Sequence, residues 1–301
     1  MTQVWLITGS TTGFGLSLSA YLSSLGDIVI ATGRRASTRL AHLTSPTFHP
    51  LDLDITSPPS EIQSVISHAV SLHGRIDVLV NNAGLSRLSS LEEGSPELMT
   101  KLFETNFFGA VKATQAVLPY MRNQKNGTVV FIGAGLGLVG MPFFGWYSVT
   151  KAALSMFAET LQKEIGPLGL RSVIFEPGGF DSELAGRAGM EMRKPGVEDY
   201  VPLWEGTFKR FGSGVAPRMP GDISKLPGVI VDVVKGEGLS KGRPWAVRVV
   251  LGPDALDAVR QKCGEQLVLL DRWEDVSLSV MTEGCRETTR WLLDGCSILE
   301  K

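Results

Sequence analysis

Tyr147 and Lys151 stand four residues apart in the run Gly145-Trp146-Tyr147-Ser148-Val149-Thr150-Lys151. On a helix that spacing projects a phenol and an ammonium from one face, within reach of each other. The ammonium would then hold the phenol's pKa down and make it a proton donor near neutral pH. A solvated pair on a surface helix has the same spacing, so the pair takes its meaning from its company. Upstream lies a glycine-rich turn, Thr8-Gly9-Ser10-Thr11-Thr12-Gly13-Phe14-Gly15. Glycines there let the backbone turn sharply and approach a pyrophosphate, seated on free N–H groups at a helix start. The spacing is Gly-x-x-x-Gly-x-Gly rather than the usual dinucleotide fingerprint, and a plain turn is the bland alternative.

A second strand ends in Gly33-Arg34-Arg35, where an acidic residue would grip ribose hydroxyls. Cations at that point suit a 2′-phosphate and favour NADP(H) over NAD(H). Two solvated surface arginines are the competing reading. Asp54, closing the third strand, is placed to accept the adenine amino group.

These residues need a scaffold, and the apolar pattern supplies one. Short apolar runs alternate with helical periods, the signature of a parallel sheet covered on both faces. Strands are expected at Val4–Ile7, Asp27–Thr32, His49–Asp54, Ile76–Val80, Thr128–Ile132, Arg171–Phe175 and Ala246–Leu251. Helices are expected at Gly13–Ser24, Pro58–Leu72, Pro96–Met121, Trp146–Ile165 and Pro253–Arg272. The expected fold is α/β: a single doubly wound, Rossmann-like parallel sheet with helices on both faces, a lid and a C-terminal extension. Residues 1–275 form the catalytic domain, with a lid over 181–220 that lacks a clean period; 276–301 form a tail.

The chain has 301 residues and a net charge of −2, which argues against a nucleic-acid or anionic-membrane partner. Three cysteines, Cys263, Cys285 and Cys296, lie late and without metal-ligand spacing, as in a reduced, cytoplasmic protein. The four histidines, His42, His49, His68 and His73, also lack metal spacing, and no metal is expected. No basic region precedes the first strand, so no secretory signal is read. The uncharged stretch Gly127–Thr150 is long enough to span a bilayer, but its glycines and Pro142 suit a buried strand and loop, so no membrane span is expected.

Taken together, these features resemble the classical branch of the short-chain dehydrogenase/reductase family, from about Val4 to Ser182. The nucleotide turn of that family matches Gly9, Gly13 and Gly15, and its Asn-Asn-Ala-Gly stretch matches Asn81, Asn82, Ala83 and Gly84. Its helix asparagine matches Asn106, its Tyr-x-x-x-Lys matches Tyr147 and Lys151, and its Pro-Gly turn matches Pro177-Gly178. Ser182 stands where threonine is usual. The resemblance implies hydride transfer between a nicotinamide and a carbonyl carbon, with Tyr147 handling the proton on oxygen. It further implies that Lys151 binds the nicotinamide ribose, that Asn106 holds a water, and that the chain forms dimers or tetramers through its long helices. The family's catalytic serine falls on Ala134 in Gly133-Ala134-Gly135. Losing one preorganised donor costs about 10²–10³ in rate.

Apolar residues crowd both sides of this site. Leu136, Leu138, Met141, Phe143, Phe144 and Trp146 surround the catalytic loop. Phe180, Leu184, Met190, Met192, Leu203, Trp204 and Phe208 populate the lid. Ala134, Leu136, Phe144, Phe180 and Leu184 are expected to line a pocket for a small-molecule substrate that is bulky and apolar. Ordinary core packing is the bland role for any one of them. Three functions fit: an NADP(H)-dependent oxidoreductase reducing a carbonyl, or a related polarised double bond, of a bulky apolar substrate; a non-redox isomerase, cyclase or dehydratase of secondary metabolism, prompted by Ala134; or a nucleotide-binding regulatory protein, which the intact Tyr147 and Lys151 argue against.

Overall fold

The computed structural model describes residues 2–180, 194–212 and 219–282, with the side chains of 209–212 left aside. Seven strands form one sheet: β1 (Val4–Ile7), β2 (Ile28–Gly33), β3 (Phe48–Asp52), β4 (Val78–Asn81), β5 (Thr128–Ile132), β6 (Arg171–Pro177) and β7 (Arg248–Leu251). Their order is β3-β2-β1-β4-β5-β6-β7, and every pairing is parallel. Ten helices accompany them among the described residues: α1 (Gly13–Ser24), α2 (Ala36–Arg39), α3 (Pro59–His73), α4 (Pro96–Phe103), α5 (Gly109–Gln124), α6 (Gly145–Ile165), α7 (Val201–Gly212), α8 (Leu226–Lys235), α9 (Pro253–Arg272) and α10 (Glu274–Leu278).

Strand alternation sorts the core into two layers. Leu6 of β1 pairs in register with Ile30 and Leu79, and all three pack with Ile62, Ile66, Val117 and Leu154 from α3, α5 and α6. Trp5 and Ile7, pointing the other way, pack with Leu18 and Leu22 of α1 and Ile230 and Val234 of α8. The sheet is therefore covered on both faces. Strand order reverses at β1, so the crevice beyond the β1 and β4 carboxyl ends is the natural ligand cleft.

Locally the structure adds detail to the sequence reading. The long helix expected over Pro96–Met121 is broken by a π-turn, Glu104–Phe108, centred on Asn106. The expected lid contains a regular helix, α7, after the 3₁₀ turn Glu198–Tyr200. Helix α8 follows it, built on Leu226-Pro227-Gly228, with Pro227 accommodated in its first turn. The expected tail begins as the short helix α10, and residues beyond 282 lie outside those described. No described helix is long and apolar enough to cross a membrane.

Candidate active site

Helix α6 buries both Tyr147 and Lys151 against the end of β5. The Lys151 ammonium donates to the Ile132 carbonyl at 2.7 Å and lies over the Tyr147 ring, 5.7 Å from its centroid. Desolvation governs both groups. Burial pushes the phenol above its usual range and the ammonium down to about 8. Burial thus works against the lowering of the phenol's pKa that the four-residue spacing suggests.

Asn106 ties α6 to the segment after β4. Its Oδ1 accepts the Leu85 N–H at 2.8 Å, and its Nδ2 donates to the Leu85 carbonyl at 2.9 Å and to Thr150 Oγ1 at 3.0 Å. The Thr150 hydroxyl in turn donates to the Tyr147 carbonyl at 2.7 Å. These three bonds fix the Asn106 side chain at the π-turn Glu104–Phe108. Gly84 lies inside the same knot, where a Cβ would stand 3.4 Å from Asn106 Oδ1 and 3.6 Å from Lys151 Nζ.

The glycine turn is locked to the same segment. Thr8 Oγ1 accepts the N–H groups of Asn82 and Ala83 at 3.0 and 3.1 Å. Asn82 Nδ2 donates to the Thr8 and Gly9 carbonyls at 2.9 and 3.0 Å. Gly9 has φ +68°, and a Cβ on Gly15 would overlap the Gly9 carbonyl oxygen, so neither position accepts a side chain. Thr12 caps α1 without a side-chain bond, and the first turn holds no acidic residue. That open helix end, with Thr11, Gly13 and Phe14 half-exposed around it, is a cradle that fits a dinucleotide pyrophosphate. Ser10 faces inward instead: its hydroxyl donates to the Ile7 carbonyl at 2.8 Å.

Arg34 and Arg35 are exposed where β2 ends. At Asp54 burial works to raise the carboxyl, but bonds from the Thr56 amide and hydroxyl, with Arg34 and Lys112 nearby, hold it below its usual range. On the other side of the cleft, the Gly179 N–H donates to Asp254 Oδ2 at 2.7 Å, and a Cβ on Gly178 would collide with that carboxylate. Asp254, at the head of α9, thus holds the Pro177-Gly178 turn.

Beside Tyr147 lies an aromatic wall. Ala134, Phe143, Phe144, Tyr147, Trp204 and Phe208 form one buried cluster, with Leu88 and Leu136 packed against it. Trp204 of α7 meets Phe143 edge-on at 4.9 Å and Phe208 at 4.3 Å. Phe143 holds φ +68°, a strained conformation for a bulky side chain, and its carbonyl accepts the Ser89 N–H at 2.9 Å. Phe180 takes another place: it packs edge-on against Phe14 at 5.4 Å and joins the α1–α8 layer. Its expected pocket role is corrected accordingly, because Gly221 bridges to it and holds it under the nucleotide turn. Ser182, Leu184, Met190 and Met192 lie outside the described residues.

Thr8, Thr150 and Asp254 act at this site without having been singled out from the sequence. Thr8 opens the glycine turn, which was a usable signal. The other two act through contacts that no local pattern announces. His49 and His73, far from the cleft, meet at 2.8 Å between their Nε2 atoms.

A family model described as short chain dehydrogenase matches residues 3–192. The oxidoreductase BOA17 of Botryotinia fuckeliana (strain B05.10) is 32% identical over 287 residues, covering 93% of this chain and 99% of its own. The 3-ketodihydrosphingosine reductase of Bacteroides thetaiotaomicron is 33% identical over 199 residues, 66% of this chain and 72% of its own. Among solved structures, a short-chain dehydrogenase from Streptomyces avermitilis superposes with a TM-score of 0.81 at 31% identity, covering 94% of this chain and 100% of that one. A short chain dehydrogenase from Burkholderia cenocepacia J2315, in complex with NADP, shares the fold at 22% identity and a TM-score of 0.69, covering 90% of this chain and 97% of that one.

Proposed function

The chain belongs to the short-chain dehydrogenase family, as an oxidoreductase, and from that premise we propose that it uses NADP(H) to reduce a carbonyl on a bulky apolar substrate. One observation carries the reading: Tyr147 is buried with one side in an aromatic cluster and the other beside Lys151. A nicotinamide dinucleotide, when bound, supplies the hydride that goes to the carbonyl carbon. Tyr147 gives its proton to the carbonyl oxygen, completing the alcohol. Lys151 holds the nicotinamide ribose and offsets charge on the phenolate as the proton leaves, and Asn106 keeps both elements in place. The open α1 end with Gly9, Thr11, Thr12, Gly13, Phe14 and Gly15 receives the pyrophosphate, while the fully buried Ser10 braces the turn from below. Asn82, Ala83, Gly84, Pro177 and Gly178 line the nicotinamide side.

The exposed Arg34 and Arg35 favour a 2′-phosphate, hence NADP(H). Ala134 occupies the family's serine position, and Leu136 and Phe144 line the substrate side with Trp204 and Phe208, which exclude water. The relatives carry redox names, which favours hydride transfer over the non-redox alternative. Exposed Phe108, Val149 and Met156 near α5 and on α6 support a homo-oligomer built on those helices. The exposed Cys263 thiol suits the reducing cytoplasm. Residues 1–275 act as one catalytic domain with a lid over 181–220 and a tail over 276–301.

The test is NADPH oxidation, followed by nicotinamide absorbance, with a panel of aryl and cyclic ketones. Expected are product matched one-to-one to NADPH consumed, a preference for NADPH over NADH, and a loss of at least about 10²-fold in Tyr147→Phe. Full product formation with unchanged nicotinamide absorbance would overturn the reading.

A further inference from the structure

Ala255 is the one buried residue of α9, a helix of 20 residues whose stretch from Arg260 to Arg272 is exposed throughout. The rest of the protein therefore holds this helix by its head, and the head rests on the active site. A Cβ on Gly135 would stand 2.8 Å from the Ala255 Cβ, so the loop after β5 meets α9 through bare backbone. Asp254, next to it, reaches off its own helix. Its Oδ2 accepts the Gly179 N–H at 2.7 Å, and its carboxylate fills the space that a Gly178 side chain would need.

An acidic side chain in the first turn of a helix ordinarily serves that helix's own free N–H groups. Asp254 is engaged with a neighbouring turn instead. The Gly178 N–H of that turn donates to the Leu251 carbonyl at 2.8 Å, and Gly252 takes φ +101° where the chain bends from β7 into α9. The turn also adjoins the loop after β5, since a Cβ on Gly135 would lie 3.8 Å from the Pro177 carbonyl oxygen. That loop rests on α6 in its turn: a Cβ on Gly137 would stand 3.1 Å from the Lys151 carbonyl carbon. The first turn of α9 thus braces the Pro177-Gly178-Gly179 turn and, through Gly135 and Gly137, the helix that carries Tyr147 and Lys151.

We propose that Asp254 is a positioning residue, whose carboxylate fixes the Pro177-Gly178-Gly179 turn to receive the nicotinamide and so makes α9 part of the cofactor site. This rests on the reading above that a nicotinamide dinucleotide binds with its ring beside Pro177 and Gly178. A backbone N–H held by a carboxylate is a charge-assisted bond, and it orders the turn before the ring arrives. Without it the turn must be ordered during binding, and affinity for the ring falls. The adenosine and pyrophosphate, held by Arg34, Arg35 and the glycine turn, do not depend on it.

The experiment compares two ligands by isothermal titration calorimetry on the full chain. One is NADPH; the other is 2′-phospho-ADP-ribose, the same molecule without its nicotinamide (NADH and ADP-ribose where NADH binds more tightly). Asp254→Ala should raise the NADPH Kd about ten-fold, the value of one charge-assisted bond, and leave the fragment's Kd within about two-fold of wild type. Asp254→Asn, whose side-chain carbonyl oxygen still accepts an N–H, should restore most of that affinity. Both variants lose the charge at the start of α9, so a difference between them reports the hydrogen bond rather than the helix end. Equal weakening of dinucleotide and fragment overturns the assignment, since the fold as a whole would then have loosened. So does an unchanged NADPH Kd in Asp254→Ala, or an Asp254→Asn protein that binds as weakly as Asp254→Ala. Wild-type protein that binds neither dinucleotide overturns the cofactor reading, and this assignment with it. Protein that shows the expected binding pattern but reduces no ketone overturns carbonyl reduction and leaves Asp254 in its role.

Discussion

Lys151 illustrates how burial, more than spacing, sets the chemistry of a residue. Its ammonium bonds one carbonyl and is otherwise enclosed, and that enclosure pushes its pKa from 10.5 to about 8. Between those values the unfolded chain carries a proton that the folded, cofactor-free chain lacks, so stability increases with pH across that window. Tyr147 works the other way. Its pKa is raised above 10.0 by burial, so above that pH the unfolded chain loses a proton that the folded chain keeps, and stability falls as pH rises. The Tm of the cofactor-free protein should therefore climb from about pH 8 toward 10 and turn over beyond it. Thermal melts of Lys151→Met across the same range should lack the rising limb. A variant curve parallel to the wild type would mean that Lys151 is not the group responsible. The tyrosine–lysine proximity was legible from a four-residue spacing, but the proton affinities were not, because desolvation depends on what the rest of the chain places around them.

At the scale of elements, periodicity was an accurate guide where each element obeyed a single rule. The runs Val4–Ile7 and Thr128–Ile132 are buried throughout and end where their apolar residues end. Helix α8 has no helical signature in the sequence, because Val229-Ile230-Val231 and Val233-Val234 are β-branched and follow Pro-Gly. Their propensity favours a strand, yet packing of Leu226, Ile230 and Val234 on the Trp5 layer selects a helix. The edge strand β7 depends on an ionic joint that no periodicity reveals. Arg248 bonds Glu176 of β6 and Glu159 of α6, each at 2.6 Å, and Glu176 is fully buried and also accepts the Ser155 hydroxyl. Arg248→Ala strands the Glu176 carboxylate, and urea melts should show a loss of about 3–5 kcal/mol. Removing both charges, Arg248→Met with Glu176→Gln, should recover most of that loss. If the double variant is no more stable than Arg248→Ala, the cost comes from lost packing rather than a stranded charge.

At the scale of the whole molecule, the sheet topology places the glycine turn, the Tyr147 helix and the Pro177-Gly178 turn around one cleft, as the alternation of elements implied. Closure over that cleft was not legible, because it joins residues about a hundred positions apart. Glu93 Oε1 accepts the N–H groups of Gly196 and Val197 at 2.6 and 3.1 Å, while Tyr200 donates to Glu92 Oε2 at 2.6 Å. These carboxylates clasp the chain just before α7, the helix that lays Trp204 and Phe208 on the wall beside Tyr147. The clasp is exposed, so it contributes little to global stability but fixes where α7 sits. Glu93→Ala frees two amides to solvent, and α7 then has more conformations to give up when a substrate seats against its aromatic residues. A loss of about 1.4 kcal/mol in binding corresponds to a roughly ten-fold rise in KM. Because Tyr147, Lys151 and the nucleotide turn keep their own bonds, kcat and NADPH affinity should stay near wild type. Steady-state kinetics on the best ketone of the panel separates these effects. A fall in kcat with unchanged KM would mean that the clasp acts on the reacting groups rather than on the wall that closes over the substrate.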